Sequence, residues 1–431
     1  MKFILFSPLA TQSAIGRVTS LIAPALTDLG HEITVVRTEQ PRLLAEPPHP
    51  CTARVIPWTD EAAVRQASGE ADALIYQIGN NYDFHCGGLH WLALLPGIVC
   101  LHDFVVAHLF AGWADTRQTE AQHALRSWYG ESVARDFFAA RDHREFVESA
   151  SRDHPMTEWI CSMAQGVISH SHWGMPRVAQ SCGGPVRVVP LPYDAPAARE
   201  AVAQAGERGV IQVLTVGHAN ANKRIESVIR AIGASEALRD RVHYRLCGRI
   251  EPHYALELAR LARSLGVQLT ISGEMESIAL QRAMNAADVI CCLRWPSLEA
   301  ASATAIEGLL YGKAVVVTDT GFYSELPDDC VRKISMSDEV PELRIALEQL
   351  AAGPSSRHAM ALRGQQWAAT TFTAANYARQ IVETSVLVQA ARPALAMTNA
   401  LTAYMEQWGA APDLIRATDI VAPLELFDLR G

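Results

Sequence analysis

The chain has 431 residues, 49% of them hydrophobic and 19% charged, with a formal net charge of -9 at pH 7. That length exceeds what one ordinary hydrophobic core accommodates and points to two domains. The acidic balance speaks against a broad nucleic-acid-binding face, and the composition against a disordered chain.

The first residues, Met1-Lys2-Phe3-Ile4-Leu5-Phe6-Ser7-Pro8, carry too short an apolar run for a signal peptide and read as a buried strand over 2–6. An amphipathic helix is expected over 15–29, stopped by Gly30, where a left-handed residue is easy. Strands follow over 32–37, 73–78 and 97–101. The stretch 91–101 is apolar, but Pro96-Gly97 interrupts it well short of a membrane span, so only peripheral membrane contact stays open. From 111 to 155 the pattern turns helical and charged, with Trp113, Trp128, Tyr129, Phe137, Phe138 and Phe146, which are expected to pack on the sheet. Late strands fall over 167–169 and 186–189.

Pro190-Leu191-Pro192-Tyr193-Asp194-Ala195-Pro196 reads as an extended connector, because proline fixes φ and blocks helix. A polar helical stretch is expected over 197–208. A second alternating series then begins, with strands over 210–216, 242–246, 267–272, 289–293 and 314–318. Helices lie between them over 223–232, 252–265, 278–287 and 302–311, and long helices close the series over 342–352 and 374–387. Nine scattered cysteines without a Cys-x2-Cys pair suggest reduced thiols, a cytoplasmic setting and no metal site. Strands alternating with helices imply two α/β domains built on parallel sheets, with ligands bound at the carboxyl ends of the strands.

The candidate site residues lie at those strand ends. Ser13-Ala14-Ile15-Gly16-Arg17 joins the first strand to the first helix, and Gly16 there allows close backbone approach beside free helix N–H groups. Val216-Gly217-His218-Ala219-Asn220-Ala221-Asn222-Lys223-Arg224 repeats the pattern in the second half. There Lys223, and after it Arg224, would meet a diphosphate. Leu101-His102-Asp103-Phe104 ends a strand of the first half, and His108 and the 80–85 loop lie near it in sequence. Pro296-Ser297-Leu298-Glu299 leads, seven residues later, to Glu307 and then Gly312-Lys313. If helical, the two glutamates would lie about 12 Å apart, at roughly 1.5 Å per residue. A helix N-terminus between them would offer free N–H groups to a diphosphate.

This stretch resembles the E-x7-E motif of the family 4 (group 1) retaining glycosyltransferases, which have the GT-B fold of two Rossmann-like αβα domains facing across a cleft. The resemblance implies an acceptor-binding domain over 1–192, a nucleotide-sugar-binding domain over 193–392, and a helical tail over 393–431 that returns to the first domain. It implies that Glu299 contacts the donor sugar and Glu307 the ribose. His102, with Asp103 beside it, would serve the reacting carbon, in part through its backbone carbonyl. Gly16, Gly217, Lys223, Arg224, Ser302 and, at the base, Gly273 would hold the donor, with Arg249 a weaker neighbour of the base. The chain departs from the family pattern at Ala14, at His218 in place of an arginine, at Arg224 in place of a glycine, and at Ala300-Ala301-Ser302 in place of glycines.

The function so implied is retaining transfer of a hexose from a nucleotide-diphosphate sugar to a saccharide or lipid-linked saccharide. It would need no cofactor and no metal, and would work in the cytoplasm or at the inner face of the membrane in surface polysaccharide synthesis. UDP- and GDP-sugars are not distinguished. Two alternatives stay open: another GT-B chemistry such as sugar-nucleotide epimerisation, and a catalytically silent nucleotide-sugar-binding partner.

Overall fold

The computed structural model describes residues 1–140, 142–194 and 209–409. The helix expected over 197–208 and the tail from 410 onward lie outside these residues.

The first domain is built on a seven-stranded sheet of β1 (Lys2–Ser7), β2 (Glu32–Arg37), β3 (Arg54–Pro57), β4 (Ala73–Ile78), β5 (Ile98–Leu101), β6 (Gly166–Ser169) and β7 (Val186–Val188). Their spatial order is β3-β2-β1-β4-β5-β6-β7, and every pairing is parallel. The second sheet contains β8 (Ile211–Val216), β9 (Val242–Cys247), β10 (Gln268–Ile271), β11 (Val289–Cys292), β12 (Ala314–Thr318) and β13 (Arg332–Ile334). It runs β10-β9-β8-β11-β12-β13, again parallel throughout. The central strands β5, β11 and β12 are buried along their whole length, because helices cover both faces. Continuous apolar runs such as Val289-Ile290-Cys291-Cys292 follow from that double cover. The edge strands β3 and β13 are short and partly exposed, and the apolar pattern did not mark them.

Each sheet reverses its winding at one point, between β1 and β4 in the first domain and between β8 and β11 in the second. Such switch points leave a crevice at the strand carboxyl ends, where neighbouring loops part to opposite sides. The loops after β1, β4, β8 and β11 therefore face a common cleft.

The segment 111–155 is helical, over Ala107–Ala114, Gln118–Asp136 and His143–Asp153. Phe137 is buried in the first-domain core, and Trp113, Tyr129 and Phe146 pack against it. Trp128 and Phe138 stay exposed.

The chain returns to the first domain on one long helix, Ala374–Gln407, which runs through Pro393. The boundary drawn at 392/393 thus falls inside a continuous helix, and the return is already under way at Ala374. Tyr377, Ile381 and Val388 are buried along it. A Cβ on Gly166 of β6 would stand 2.6 Å from Val388, so that glycine makes room for the helix. Gln389 Nε2 donates to the Asp72 carbonyl at 3.1 Å, and Arg187 pairs with Glu383 at 3.1 Å. The connector meets the root of this helix where the Tyr193 amide donates to the Phe372 carbonyl at 3.1 Å.

Ile381 is completely buried between the helix and the rest of the core. Ile381→Ala is expected to cost about 2–5 kcal/mol by methyl deletion plus residual cavity, read as a lowered midpoint in chemical denaturation.

Candidate active site

A cleft of about 540 Å³ lies between the two domains. The 12–15 loop, Asn80-Asn81 and His102-Asp103 form its first-domain wall. Lys223, Arg294, Glu299 and the start of helix Ala303–Leu310 form the opposite wall.

Backbone pairing holds the walls together. The Phe104 and Val105 amides donate to the Leu298 carbonyl at 2.8 and 3.1 Å, and the Ala300 amide donates to the His102 carbonyl at 2.9 Å. Asp103 and Glu299 thus sit opposite each other in a one-residue antiparallel bridge. The His102 carbonyl, assigned to the reacting carbon on resemblance, is occupied by Ala300 in this arrangement.

Glu299 accepts from Arg294 Nε at 3.0 Å and from the Tyr323 hydroxyl at 3.5 Å, and remains partly open to the cleft. Ser302 caps the helix, its hydroxyl accepting from the Ala305 amide at 3.3 Å. The side chain is therefore committed to the cap. The amides of Ala303 and Thr304 in the first turn lack helical acceptors and line the cleft.

Lys223 is buried, with Nζ donating to the Val216 carbonyl at 2.5 Å. Burial and the neighbouring Arg294 bring its pKa down to about 7, against the pull of Glu299. Gly217 has φ 92°, and a Cβ there would stand 2.6 Å from the lysine Nζ. Gly217 thus serves the lysine rather than a ligand directly.

Arg224 is a correction. The expected helix start at Lys223 is instead a 3-10 turn, Ala221–Lys223, followed by Arg224 in the left-handed region at φ 54°. That single residue turns successive side chains apart. Lys223 faces the cleft, and Arg224 runs outward to Glu339, with Nη2 to Oε2 at 2.7 Å. Gly16 is a second correction. Its amide donates to the Ser13 hydroxyl at 3.1 Å, and a Cβ would stand 2.9 Å from the Pro8 carbonyl oxygen. Its close approach is to its own chain, and Ala14 and Ile15 face the cleft instead. Gly273 lies behind the cleft, where its carbonyl accepts from the Gly248 amide at 2.7 Å. Arg249 is exposed beside Glu251 at 3.7 Å.

Glu307 does not line the cleft either. It is buried at the seam, 3.5 Å from Arg17 Nη1 of the first domain. Arg17 also binds Asp194 at 2.7 Å and lies over the Tyr193 ring at 4.6 Å. Burial raises the Glu307 pKa, and Arg17 opposes the rise. The two motif glutamates therefore serve different surroundings, one in the cleft and one in the seam beside the connector.

His102 is buried, with Nε2 2.6 Å from Gln77 Oε1 and its ring 4.8 Å from that of His170. Burial, with the charges of His170 and His85 adding to it, lowers its pKa well below the usual histidine value. Burial likewise takes His85 to about 3 and His170 to about 4. His102 therefore meets a ligand as a neutral imidazole. Asp103 Oδ2 accepts the Asn80 amide at 2.7 Å. Burial and the nearby Glu299 raise Asp103 to about 7, while the Asn80 bond opposes them. Asn80 Oδ1 accepts the amides of His108 and Leu109 at 2.8 and 3.1 Å. His108 thereby borders a neighbouring polar cavity of about 520 Å³ with Tyr82 and Asp115.

Arg294 was missed from sequence. Arg294 left a signal, as the single charge ending the apolar run Val289-Ile290-Cys291-Cys292-Leu293. His85, at the end of the 80–85 loop, also lines the cleft. Among the described residues, no three His, Cys, Asp or Glu side chains meet in a way that could hold a metal ion, and no helix is long and apolar enough to cross a membrane.

Two parallel-sheet α/β domains facing across such a cleft define the GT-B architecture of glycosyltransferases. Residues 199–367 match the family model described as glycosyl transferases group 1. Among solved structures, sucrose-phosphate synthase (tll1590) from Thermosynechococcus elongatus is 16% identical with a TM-score of 0.61, the match covering 91% of this chain and 100% of that one. Anabaena Alr3699/HepE, solved in complex with UDP, is 18% identical with a TM-score of 0.61, covering 89% and 99%. WaaG, described as a glycosyltransferase involved in lipopolysaccharide biosynthesis, is 15% identical with a TM-score of 0.56, covering 90% and 99%. At these identities the likeness is one of fold. No curated protein matches the chain in sequence.

The raised carboxyl of Asp103 has a defined pH signature. The folded protein holds that proton up to about pH 7, whereas an unfolded carboxyl releases it near 3.8. At Asp103 the folded state thus binds the extra proton across this window, so this group's contribution to stability falls as pH rises, opposite in sign to that of the buried neutral His85, His102 and His170. Asp103→Asn is expected to remove that contribution and make the change in stability from pH 5 to pH 8 more positive, measured by chemical denaturation. An unchanged difference would show that Asp103 does not carry the proton.

Proposed function

We propose that the chain is a retaining glycosyltransferase that moves a hexose from a nucleotide-diphosphate sugar to a hydroxyl of a saccharide or lipid-linked saccharide. The observation that carries this reading is the convergence of Lys223, Glu299 and the open first turn of helix Ala303–Leu310 on one cleft wall, directly opposite His102 and Asp103.

In this reading the leaving diphosphate lies against Lys223 and the Ala303 and Thr304 amides, where an ammonium and aligned N–H dipoles meet the charge that develops on it. Glu299, held by Arg294, binds sugar hydroxyls as an acceptor. His102 is neutral and contributes a hydrogen bond, not a proton. The leaving phosphate takes the acceptor proton, so the wall supplies orientation and charge stabilisation rather than a nucleophile. Binding of a ribose by Glu307 would require its release from Arg17. The polar cavity beside His108 is the natural place for an acceptor sugar.

The Anabaena structures were solved with UDP, with UDP and glucose, and with UDP-glucose, which makes UDP the first nucleotide to try here. WaaG's part in lipopolysaccharide synthesis supports a role in surface polysaccharide or glycoconjugate assembly at the cytoplasmic side of a membrane. A second reading, a nucleotide-sugar binder without turnover, draws on Glu307 and the His102 carbonyl already being engaged across the seam.

Calorimetry with UDP, GDP, TDP and ADP tests the first reading. One diphosphate should bind selectively, and Lys223→Met should weaken it about tenfold or more. Because Lys223 gains its proton near pH 7, affinity should rise as pH falls from 9 towards 7, and this rise should vanish in Lys223→Met. With the matching sugar nucleotide, Glu299→Gln should lower turnover by about a hundredfold. Binding without any transfer or donor hydrolysis would favour the silent binder. Binding of no nucleotide by folded protein would overturn both.

A further inference from the structure

Lys223 is not the only cation in the cleft floor. Arg294 enters from the end of β11, 3% exposed, and three contacts hold it rigidly. Its amide donates to Thr318 Oγ1 at 2.9 Å, Nη1 donates to the Leu293 carbonyl at 2.8 Å, and Nε donates to Glu299 Oε1 at 3.0 Å. Among the described residues, Nη2 has no hydrogen-bond partner. Among the described residues, Lys223 likewise makes one side-chain bond, to the Val216 carbonyl, from three ammonium donors.

The charges do not balance locally. Among the described residues, Glu299 is the one carboxylate bonded to Arg294, and none is bonded to Lys223. Asp103, beside it, keeps its proton up to about pH 7. Arg294 and, when protonated, Lys223 have one neighbouring carboxylate between them, and burying unpaired charge is costly unless a counter-ion completes the site. His218, on the lip of the same cleft, adds no fixed charge: burial first, then Arg249 and Lys223, lower its pKa. It occupies the motif position where an arginine would have approached from the β8 loop.

Resting on the transferase reading, we propose that Arg294 is the second diphosphate-binding residue of this cleft, supplying from the β11 end the cation that His218 does not supply from the β8 loop. Its geometry gives it two tasks. The Nε edge fixes the Glu299 carboxylate, and the free Nη2 faces the anion. One rigid guanidinium thus sets the distance between the sugar-binding carboxylate and the leaving diphosphate, which two separately mobile side chains would not do. The ligand class is a nucleoside diphosphate or its sugar ester. A monophosphate would leave part of this charge unmet.

The test compares diphosphates with monophosphates. UDP, GDP, TDP and ADP, each beside its monophosphate, are titrated into the full chain by calorimetry, with thermal melting of every variant to establish folding. For the nucleotide that binds, Arg294→Met should weaken the diphosphate about ten- to a hundredfold and the monophosphate far less. Adding His218→Arg to Arg294→Met should recover much of the loss, which a merely structural role for Arg294 would not allow. Arg294→Lys keeps the charge without the fork and should fall in between. If Arg294→Met does not fold, the Lys variant decides, and it must still weaken the diphosphate selectively. Unchanged diphosphate affinity in folded variants, or equal loss for both phosphates, would overturn the proposal and leave the transferase reading standing. Failure of the native protein to bind any diphosphate would overturn both together.

Discussion

Everything placed in the cleft depends on a few backbone hydrogen bonds between 102–105 of one domain and 298–300 of the other. Backbone pairing is indifferent to side-chain identity, but it fixes register, and here it sets Asp103 directly against Glu299. Two carboxyl groups brought together in a desolvated place cannot both ionise cheaply. The outcome is a division of labour. Glu299 pairs with the guanidinium of Arg294, while Asp103 takes a backbone N–H and keeps its proton to a higher pH.

The same desolvation organises the layer beneath. His85, His102 and His170 lie close together and are all driven towards the neutral form. A neutral imidazole row gives polar contacts without adding positive charge under Lys223 and Arg294. The cleft thus concentrates cations on the second-domain wall and leaves the first-domain wall nearly uncharged. An anionic group and a neutral polyol placed between them would be sorted by that contrast alone.

Much of this was legible in the chain itself. Fully covered parallel strands leave continuous apolar runs, so β5, β11 and β12 announce themselves. Loops that follow such strands mark the site, which is why His102, Asp103, Lys223, Glu299 and Ser302 come together in the cleft. What failed depends on single backbone angles or distant partners. Arg224 looks equivalent to Lys223 until its positive φ turns it towards Glu339, and non-glycine residues give little warning of that conformation. Gly16 fits a phosphate loop equally well whether it faces a ligand or the Pro8 carbonyl. Glu307 lies at helical spacing from Glu299, yet its partner Arg17 is 290 residues away along the chain. The helix expected over 374–387 runs on through Pro393 to Gln407, a length the local sequence did not announce.

The chain crosses between the domains twice, once through the connector after Val189 and once before Ala374. The two crossings are tied to each other by the hydrogen bond from the Tyr193 amide to the Phe372 carbonyl. Two bodies joined at neighbouring points part less readily there than at their far edges. The tie favours swinging about this knot over separation at it, as for a door hung on one jamb. The seam contacts of Arg17 with Tyr193 and Asp194 sit beside the jamb, and the pairing of 102–105 with 298–300 acts as its catch.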